Sequence, residues 1–196
     1  MSLSTIVGVG FDVGVRNLGM AIVKRHLNQS GIGRFECLKL DLIDLNSRVT
    51  NEAVETLCTK LDIMWPELQQ CHWVNIEQQP EHQHVSKFTP MSRQRDNTQM
   101  KSISHAIQAF FLSRGMPVEF VSPKSKLNVY DGPPIDLKSK STKEYYLRKR
   151  MAIAHAKAML EGQDMWLQYI KNLEKKDDVC DAYLQCCYHL DRKAGL

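Results

Sequence analysis

Short apolar runs separated by Gly-containing turns dominate the first forty residues, a pattern that predicts three β-strands. Residues 6–12 form an apolar run punctuated by glycines, and the runs 18–24 and 35–42 follow after short connections. Such runs, bounded by turn residues, are typical of strands, and close spacing along the chain favours antiparallel pairing of neighbours. We therefore predict that three consecutive antiparallel strands begin the sheet.

The middle of the chain alternates helical periodicity with two further apolar runs. Apolar residues recur at three- and four-residue intervals over 50–68 and again over 97–113, which predicts two helices. The short runs 73–78 and 118–121 predict a fourth and a fifth strand. Residues 79–96 are rich in His, Ser and Gln, and we expect a polar loop there.

The last third of the chain is predicted to be helical. Gly132-Pro133-Pro134 predicts a loop over about 128–139, after which Ser141 or Thr142 can cap a helix that runs to about residue 160. Two more helices are predicted near 163–174 and 177–192. This order predicts an α/β fold with a mixed five-stranded sheet and helices on both faces. Neither a repeat nor a linker divides the sequence, so residues 1–196 are predicted to form a single domain.

Charge singles out one region of an otherwise ordinary composition. The chain has 196 residues, 43% of them hydrophobic and 24% charged, and a net charge of +4. These values exclude disordered and fibrous classes. Nine basic but only three acidic residues lie between Lys124 and Lys157. A clustered basic region favours a polyanionic partner, although a solvated helix face explains the charge equally well.

Cysteine usage and hydropathy bear on the compartment. None of the six cysteines forms a C-x-x-C pair, so we predict free, buried thiols in a reducing, intracellular environment. No apolar run reaches the roughly 18 residues that a membrane span needs, and no signal-peptide pattern precedes the first strand. We therefore expect a soluble protein that makes no membrane contact.

Acidic residues occur where predicted strands end and where the last helix begins. Asp12 ends the first predicted strand, Glu77 ends the fourth, and Asp177, Asp178 and Asp181 open the last helix. A carboxylate in an apolar strand is costly unless it is paired or bound to a metal. Oxygen ligands of this kind select Mg²⁺ or Mn²⁺. The alternatives are strand-end acids that face water and a helix start that the dipole favours.

For Asp181, membership of this set depends on what surrounds its helix. It points away from the centre of the apolar stripe of its helix, which is formed by Val179, Ala182, Tyr183, Cys186, Cys187 and Leu190. Asp181 can therefore join a metal site only if this helix borders a cleft.

Three segments of the chain resemble the signature segments of RuvC-like Holliday junction resolvases, most closely those of poxviruses and related large DNA viruses. The segments, which span nearly the whole chain, are Phe11-Asp12-Val13-Gly14-Val15-Arg16-Asn17-Leu18-Gly19, Ile76-Glu77-Gln78-Gln79-Pro80 and Lys176-Asp177-Asp178-Val179-Cys180-Asp181-Ala182. The resemblance implies a ribonuclease H-like fold, a homodimer and two Mg²⁺ ions per active site, for which Mn²⁺ can substitute. It implies paired, symmetric nicks in a four-way DNA junction or other branched DNA, without a nucleotide cofactor. For a viral protein the expected location is the host-cell cytoplasm.

The resemblance also implies roles for individual residues. Asp12, Glu77, Asp178 and Asp181 match the metal-binding, catalytic carboxylates, and Asp177 is an additional acid. A catalytic basic residue is expected ahead of the last acidic pair, where Lys149 is our first choice and Lys126 our second; a lysine that only contacts phosphate or solvent is the alternative for either. The expected nucleic-acid contacts are Lys124, Lys126, Lys143, Arg148 and Arg150.

Three other functions compete with a junction resolvase. A RuvC-like nuclease that trims ribosomal RNA precursors shares the Asp-x-Gly start, but its chains are shorter and lack the long basic segment. An actin-like ATPase or sugar kinase shares the Asp12-Val13-Gly14 turn but needs two such domains. A non-catalytic nucleic-acid binding protein would leave the carboxylates unexplained.

For a homodimer, Phe110 and Phe111 on the helix 97–113 are predicted either to form the interface or to pack in the core.

Overall fold

The structure, a computed structural model, describes residues 5–29, 34–47, 49–79, 91–137 and 144–194, with the backbone alone for 91–95. The predicted helix caps Ser141 and Thr142, the predicted DNA contact Lys143 and most of the predicted loop 79–96 lie outside these residues.

A five-stranded mixed sheet forms the centre of the molecule, with strand order β3-β2-β1-β4-β5. β1 (Thr5–Val13), β2 (Asn17–His26) and β3 (Phe35–Asp44) are antiparallel neighbours. β4 (Trp73–Glu77) pairs in parallel with β1, and β5 (Val118–Val121) pairs in parallel with β4. The predicted sheet, including its three antiparallel strands, is confirmed.

The helices agree with the prediction except at the start of the second one. Their bounds are α1 Thr50–Leu68, α2 Met91–Leu112, α3 Glu144–Met159, α4 Asp164–Asn172 and α5 Lys176–Ala194, with a short 3₁₀ helix at Lys126–Val129. The predicted loop to residue 96 is wrong in its last part, because α2 already begins at Met91. Met, Gln and Arg are good helix formers, so a polar composition did not indicate a loop there.

Alternation along the strands divides the interior into two cores. Val9, Phe11 and Val13 of β1 belong to the core that also contains α1 and α2. The intervening side of β1 faces α5, which packs in a second core with α3 and α4. Helices therefore cover both faces of the sheet, as predicted. Phe110 and Phe111 are buried in the first core, so core packing is the correct alternative and a dimer interface built on these two rings is wrong.

Two expectations from composition can be compared with the structure. All six cysteines are free, as predicted, and five of them are buried, whereas Cys58 is half-buried. Burial raises the pKa of Cys71 and Cys180 to about 12. Within the part of the chain that the structure describes, no helix combines the length and the apolar character that crossing a membrane requires.

Candidate active site

Asp12 and Glu77 lie side by side at the carboxyl ends of two adjacent parallel strands. The β1–β4 register pairs Phe11 with Ile76, and each carboxylate follows its member of that pair. Because side chains alternate along a strand, both carboxylates project from the face that α5 covers. Their side chains are 15% and 17% exposed. The sheet therefore holds two nearly buried acids together at one edge.

Two glycines allow α5 to approach this edge closely. A Cβ atom at Gly19 would lie 2.2 Å from the carbonyl oxygen of Asp178, and one at Gly10 would lie 2.8 Å from the carbonyl oxygen of Ala182. Gly19 is also the antiparallel partner of Asp12. Glycine inside a strand often marks such a close backbone approach. The first turn of α5, with its acids, consequently lies directly against β2 and against β1, which carries Asp12.

A buried pair of amide side chains fixes α5 to the same strands one turn further along. Gln185 Nε2 donates to Asn75 Oδ1 at 3.1 Å and to the carbonyl oxygen of Phe11 at 3.3 Å. Asn75 Nδ2 donates to the carbonyl oxygen of Val9 at 3.1 Å. Both amide side chains are fully buried. Sequence reasoning missed this pair, although a polar residue inside the apolar run of β4 was a usable signal.

The ammonium group of Lys126 lies among three of the predicted carboxylates. Its Nζ is 2.5 Å from Asp181 Oδ2, 3.1 Å from Glu77 Oε2 and 3.9 Å from Asp12 Oδ1. Lys126 opens the short 3₁₀ helix that follows β5, and its side chain is 13% exposed. The fold therefore brings Asp181 into the site, because α5 is buried on nearly all sides rather than along a single stripe.

The carboxylates of this cluster are nearly buried, and burial disfavours their ionised form. Burial, and then repulsion from Glu77, raises the pKa of Asp12 well above its usual range. Burial also raises the pKa of Asp181 to about 6, although the attraction of Lys126 opposes the rise. Burial acts to lower the pKa of Lys126, but the three carboxylates more than reverse this and raise it. One ammonium group therefore does not fully compensate the three carboxylates. Lys126 itself stays protonated at neutral pH.

Asp178, Asp177 and Lys149 lie around the rim of the cluster. Asp178 is half-buried, and burial followed by repulsion from Asp177 raises its pKa. Lys149 forms an ion pair with Asp177, and its Nζ lies 5.0 Å from the centre of the Tyr145 ring. Of the two predicted catalytic lysines, Lys126 contacts the strand carboxylates, whereas Lys149 contacts the additional acid.

The donors at this site suit a divalent cation in their chemistry. All four predicted ligands offer carboxylate oxygen, which Mg²⁺ and Mn²⁺ prefer. Asp181 Oδ1 is buried and makes no hydrogen bond within the described part of the protein. Among the described residues no three acidic, His or Cys side chains form a group that could hold a metal ion as they stand. Lys126 already supplies positive charge to three of the carboxylates, so a divalent cation there would compete with its ammonium group.

A cavity of about 500 Å³ opens beside the carboxylates. It is lined by the acids Asp12, Glu77, Asp177, Asp178 and Asp181, and by the basic residues Lys124, Lys126, Arg148 and Lys149, among others. Lys124 and Arg148 are exposed, and Arg150 is exposed on the same helix as Arg148. Basic side chains therefore line the same cavity as the acids, and clustered positive charge of this kind raises the local potential for anions.

Comparison with solved structures identifies the fold. A RuvC structure from Thermus thermophilus matches with a TM-score of 0.62 and 14% sequence identity, over 97% of this chain and 97% of RuvC. A T. thermophilus RuvC in complex with a Holliday junction substrate matches with a TM-score of 0.60 and 13% identity, over 94% of this chain and 92% of the other. The chain has the ribonuclease H-like fold of RuvC. The predicted fold class is confirmed, whereas identities this low bear on the fold alone.

Sequence comparison finds a partial match to a viral protein at higher identity. An uncharacterised protein of Acanthamoeba polyphaga mimivirus is 34% identical in an alignment of 108 residues that covers 48% of this chain. The match covers 26% of that protein, so the chain corresponds to about a quarter of the length of this curated relative. No protein-family model matches the chain.

Proposed function

We propose that the protein is a divalent-metal-dependent endonuclease that cuts four-way DNA junctions by paired, symmetric nicks. The observation that carries this proposal is the convergence of Asp12, Glu77 and Asp181 on one point at the carboxyl edge of the sheet, with Asp178 at its rim. Asp12 and Asp181 are nearly buried acids with raised pKa values that line a cleft, a combination that marks candidate functional groups. The RuvC fold, seen elsewhere bound to a Holliday junction, supports this choice.

Asp12, Glu77, Asp178 and Asp181 would hold the metal ions. Bound at this site, Mg²⁺ or Mn²⁺ would supply an activated water molecule and stabilise the leaving oxygen of a phosphodiester. Lys126 lies in the same cavity and, because its pKa is raised, acts there as a fixed positive charge rather than as a proton acceptor. Such a charge stabilises the negative charge that develops on a phosphate during hydrolysis. We assign this role to Lys126 rather than to Lys149.

The basic residues outside the carboxylate cluster would bind the DNA backbone. Lys124 and Arg148 border the cavity, and Arg150 and Lys143 belong to the same basic region. Phosphate contacts give affinity that does not depend on sequence and falls steeply with salt. No base-reading motif is visible in the sequence, which favours recognition of branched shape. Symmetric nicks need two active sites related by a two-fold axis, so the proposal includes a homodimer.

The resemblance to the resolvases of poxviruses and other large DNA viruses specifies the proposal further. The partial match to a mimivirus protein supports a viral lineage. On this proposal the substrate is a recombination or replication intermediate of a viral genome.

Three labelled substrates, each tested with and without Mg²⁺, separate this function from its rivals. A four-way junction, a plain duplex of the same sequence and an RNA hairpin are incubated with the protein, and the products are mapped. We expect nicks in the junction alone, symmetric about the branch, that require Mg²⁺ or Mn²⁺ and stop in excess chelator. Preferred cutting of the hairpin would indicate an RNA-processing nuclease, and binding without cutting in either metal would indicate a binding protein.

The homodimer is tested by sedimentation of the protein alone and on the junction. We expect two chains on each junction, in Ca²⁺, which supports binding but little turnover because its looser geometry suits a two-metal site poorly. A 22.5 kDa monomer both on and off DNA would contradict symmetric cleavage.

A further inference from the structure

Two adjacent tyrosines at the start of α3 are exposed next to the candidate active site. Tyr145 is 62% exposed and Tyr146 is 52% exposed. In the part of the chain that the structure describes, every other Phe, Trp and Tyr side chain is buried or half-buried. An exposed ring leaves a large apolar surface in water, so neither ring is explained by packing in the core.

Tyr145 belongs to the wall of the cavity that contains the carboxylates. It lines the same 500 Å³ cavity as Asp12, Glu77 and Asp181. The Tyr146 ring contacts it in a T-shaped arrangement, with ring centres 5.4 Å apart and ring planes at 74°. Lys149 Nζ lies 5.0 Å from the centre of the Tyr145 ring and is itself held by Asp177. The Tyr145 ring is therefore held in place by its neighbours while much of it stays open to the cavity.

The surroundings of this ring identify the class of ligand. Arg148 and Lys149 lie on the same helix, and Lys124 borders the same cavity, so basic groups surround the ring. Charged groups are depleted at the centres of protein–protein interfaces, which argues against a protein partner. Aromatic rings interleaved with basic residues are typical of surfaces that bind single-stranded nucleic acid, where bases stack on the rings and phosphates contact the cations.

We propose that Tyr145 stacks on an unpaired nucleobase next to the phosphate to be cut, and that Tyr146 supports its ring. This inference rests on the proposed nuclease function and adds a source of substrate choice to it. A base inside a continuous duplex is stacked on both sides and has no free face. Only an unpaired or splayed base can use Tyr145, so the site favours strands that are distorted, as at a branch point.

A short single strand tests the stacking without any need for cleavage. Binding of a ten-nucleotide oligo-dT is measured in Ca²⁺ over a range of salt for the wild type, Tyr145→Ala and Tyr145→Phe. We expect Tyr145→Ala to bind about tenfold more weakly, as the loss of one base stack predicts. Tyr145→Phe should bind within about twofold of the wild type, since the ring face is kept. The salt dependence should stay the same in both variants because no phosphate contact is lost.

Met165→Ala is the matched control. Met165 is a large side chain of α4 that is 67% exposed, and it does not line the cavity. This variant should bind oligo-dT as the wild type does. Wild-type binding by Tyr145→Ala would overturn the inference. A loss accompanied by a shallower salt dependence would also overturn it, since the tyrosine would then act through the Lys149 charge.

Photo-crosslinking locates the base. Junctions and duplexes that carry 5-iodouracil at successive positions are irradiated in complex with the protein in Ca²⁺, and the crosslinked residue is mapped. We expect a crosslink to Tyr145 from a position flanking the branch, which is lost in Tyr145→Ala and absent from the duplex. Equal crosslinking of Tyr145 by the duplex would contradict a preference for unpaired bases.

These measurements separate the two proposals. If the protein cuts no junction but binds oligo-dT through Tyr145, the proposed function fails and the base-stacking site stands. If it cuts junctions symmetrically while Tyr145→Ala binds, crosslinks and cuts like the wild type, the function stands and the stacking site is refuted.

Discussion

The two ends of α5 carry charged clusters above opposite ends of the same strands. At its first turns, Asp181 meets Glu77 and Lys126 above the carboxyl end of β4. At its last turns, His189 and Lys193 meet Glu119 of β5, with His189 Nδ1 3.7 Å from Glu119 Oε2 and Lys193 in an ion pair with the same carboxylate. Both ends place charges as the helix dipole favours, so the dipole does not distinguish them.

The balance of charge and the burial do distinguish them. In the first cluster three nearly buried acids share one lysine, and the pKa values of Asp12 and Asp181 are raised. In the second cluster a single acid, 43% exposed, receives a hydrogen bond from Lys193 that lowers the pKa of Glu119. A raised pKa means that the fold disfavours the ionised acid, whereas a lowered pKa means that the ion pair stabilises the fold. Burial therefore disfavours the ionised form of two acids in the first cluster, whereas the ion pair of the second cluster favours its ionised acid, as expected if one serves function and the other structure.

The largest effect is expected from Asp12→Asn, which should slow cleavage of a four-way junction by at least about 100-fold. The amide keeps the shape of the side chain but removes the charge of a proposed metal ligand. The free energy of unfolding in chelator should stay the same or rise, because repulsion with Glu77 is relieved. Single-turnover cleavage and urea denaturation measure the two quantities.

Glu119→Gln is the matched control, an acid-to-amide change at the other end of α5. It should leave the cleavage rate unchanged. Cleavage by Asp12→Asn at the wild-type rate would refute the assignment of the active site.

Lys126→Met should lower the free energy of unfolding in chelator by about 3–5 kcal/mol, since removal of one partner leaves buried charges uncompensated. Added Mg²⁺ should restore part of this loss, because the cation can supply the missing positive charge. Chemical denaturation with and without Mg²⁺ gives both values. The comparison variant is Lys193→Met, whose loss should be smaller and independent of Mg²⁺; equal losses would remove the distinction between the two clusters.

Acid should destabilise the second cluster through His189. Burial lowers the pKa of His189 to about 4, and among the described residues its buried Nε2 has no hydrogen-bond partner. The unfolded chain therefore takes up a proton below its ordinary pKa of 6.5 and the folded one does not. The free energy of unfolding should therefore be unaffected by His189 above pH 6.5. Between pH 6.5 and about pH 4 it should fall, by at most about 3 kcal/mol.

The measurement compares the wild type with His189→Leu across this pH range. The wild type should lose stability more steeply than the variant as the pH falls. Parallel curves would show that His189 does not titrate with unfolding.

The smallest effect is expected from Glu119→Gln on stability. The loss should be below about 1 kcal/mol, because the carboxylate is 43% exposed and water screens its pair. Since the pKa of Glu119 is lowered, its contribution is present above the ordinary value of 4.5 and disappears as the pH falls through the lower folded value. Thermal denaturation at pH 7 and pH 3 should show a difference between variant and wild type only at pH 7.

The sequence determined the elements of the sheet and two of its acids. Alternation along β1 and β4 places Asp12 and Glu77 on one face, and their position after apolar runs indicates the end of each strand. This information is local, because successive side chains of a strand point to opposite faces of the sheet whatever the strand packs against. The glycines of β1 and β2 were equally visible, and their close contact with α5 is a consequence of their missing side chains.

The tertiary structure alone decided which charged groups meet. Helical periodicity placed Asp181 away from the apolar stripe of α5. In the structure α5 is buried on nearly every side, and Asp181 contacts Lys126. Sequence resemblance favoured Lys149, whereas the 3₁₀ helix after β5 carries Lys126 to the carboxylates. Tyr145 likewise lies on the cavity wall only because of where α3 packs. Each of these contacts joins segments distant in the chain, and local periodicity fixes the direction of a side chain along its own element but not the neighbour that packs against it.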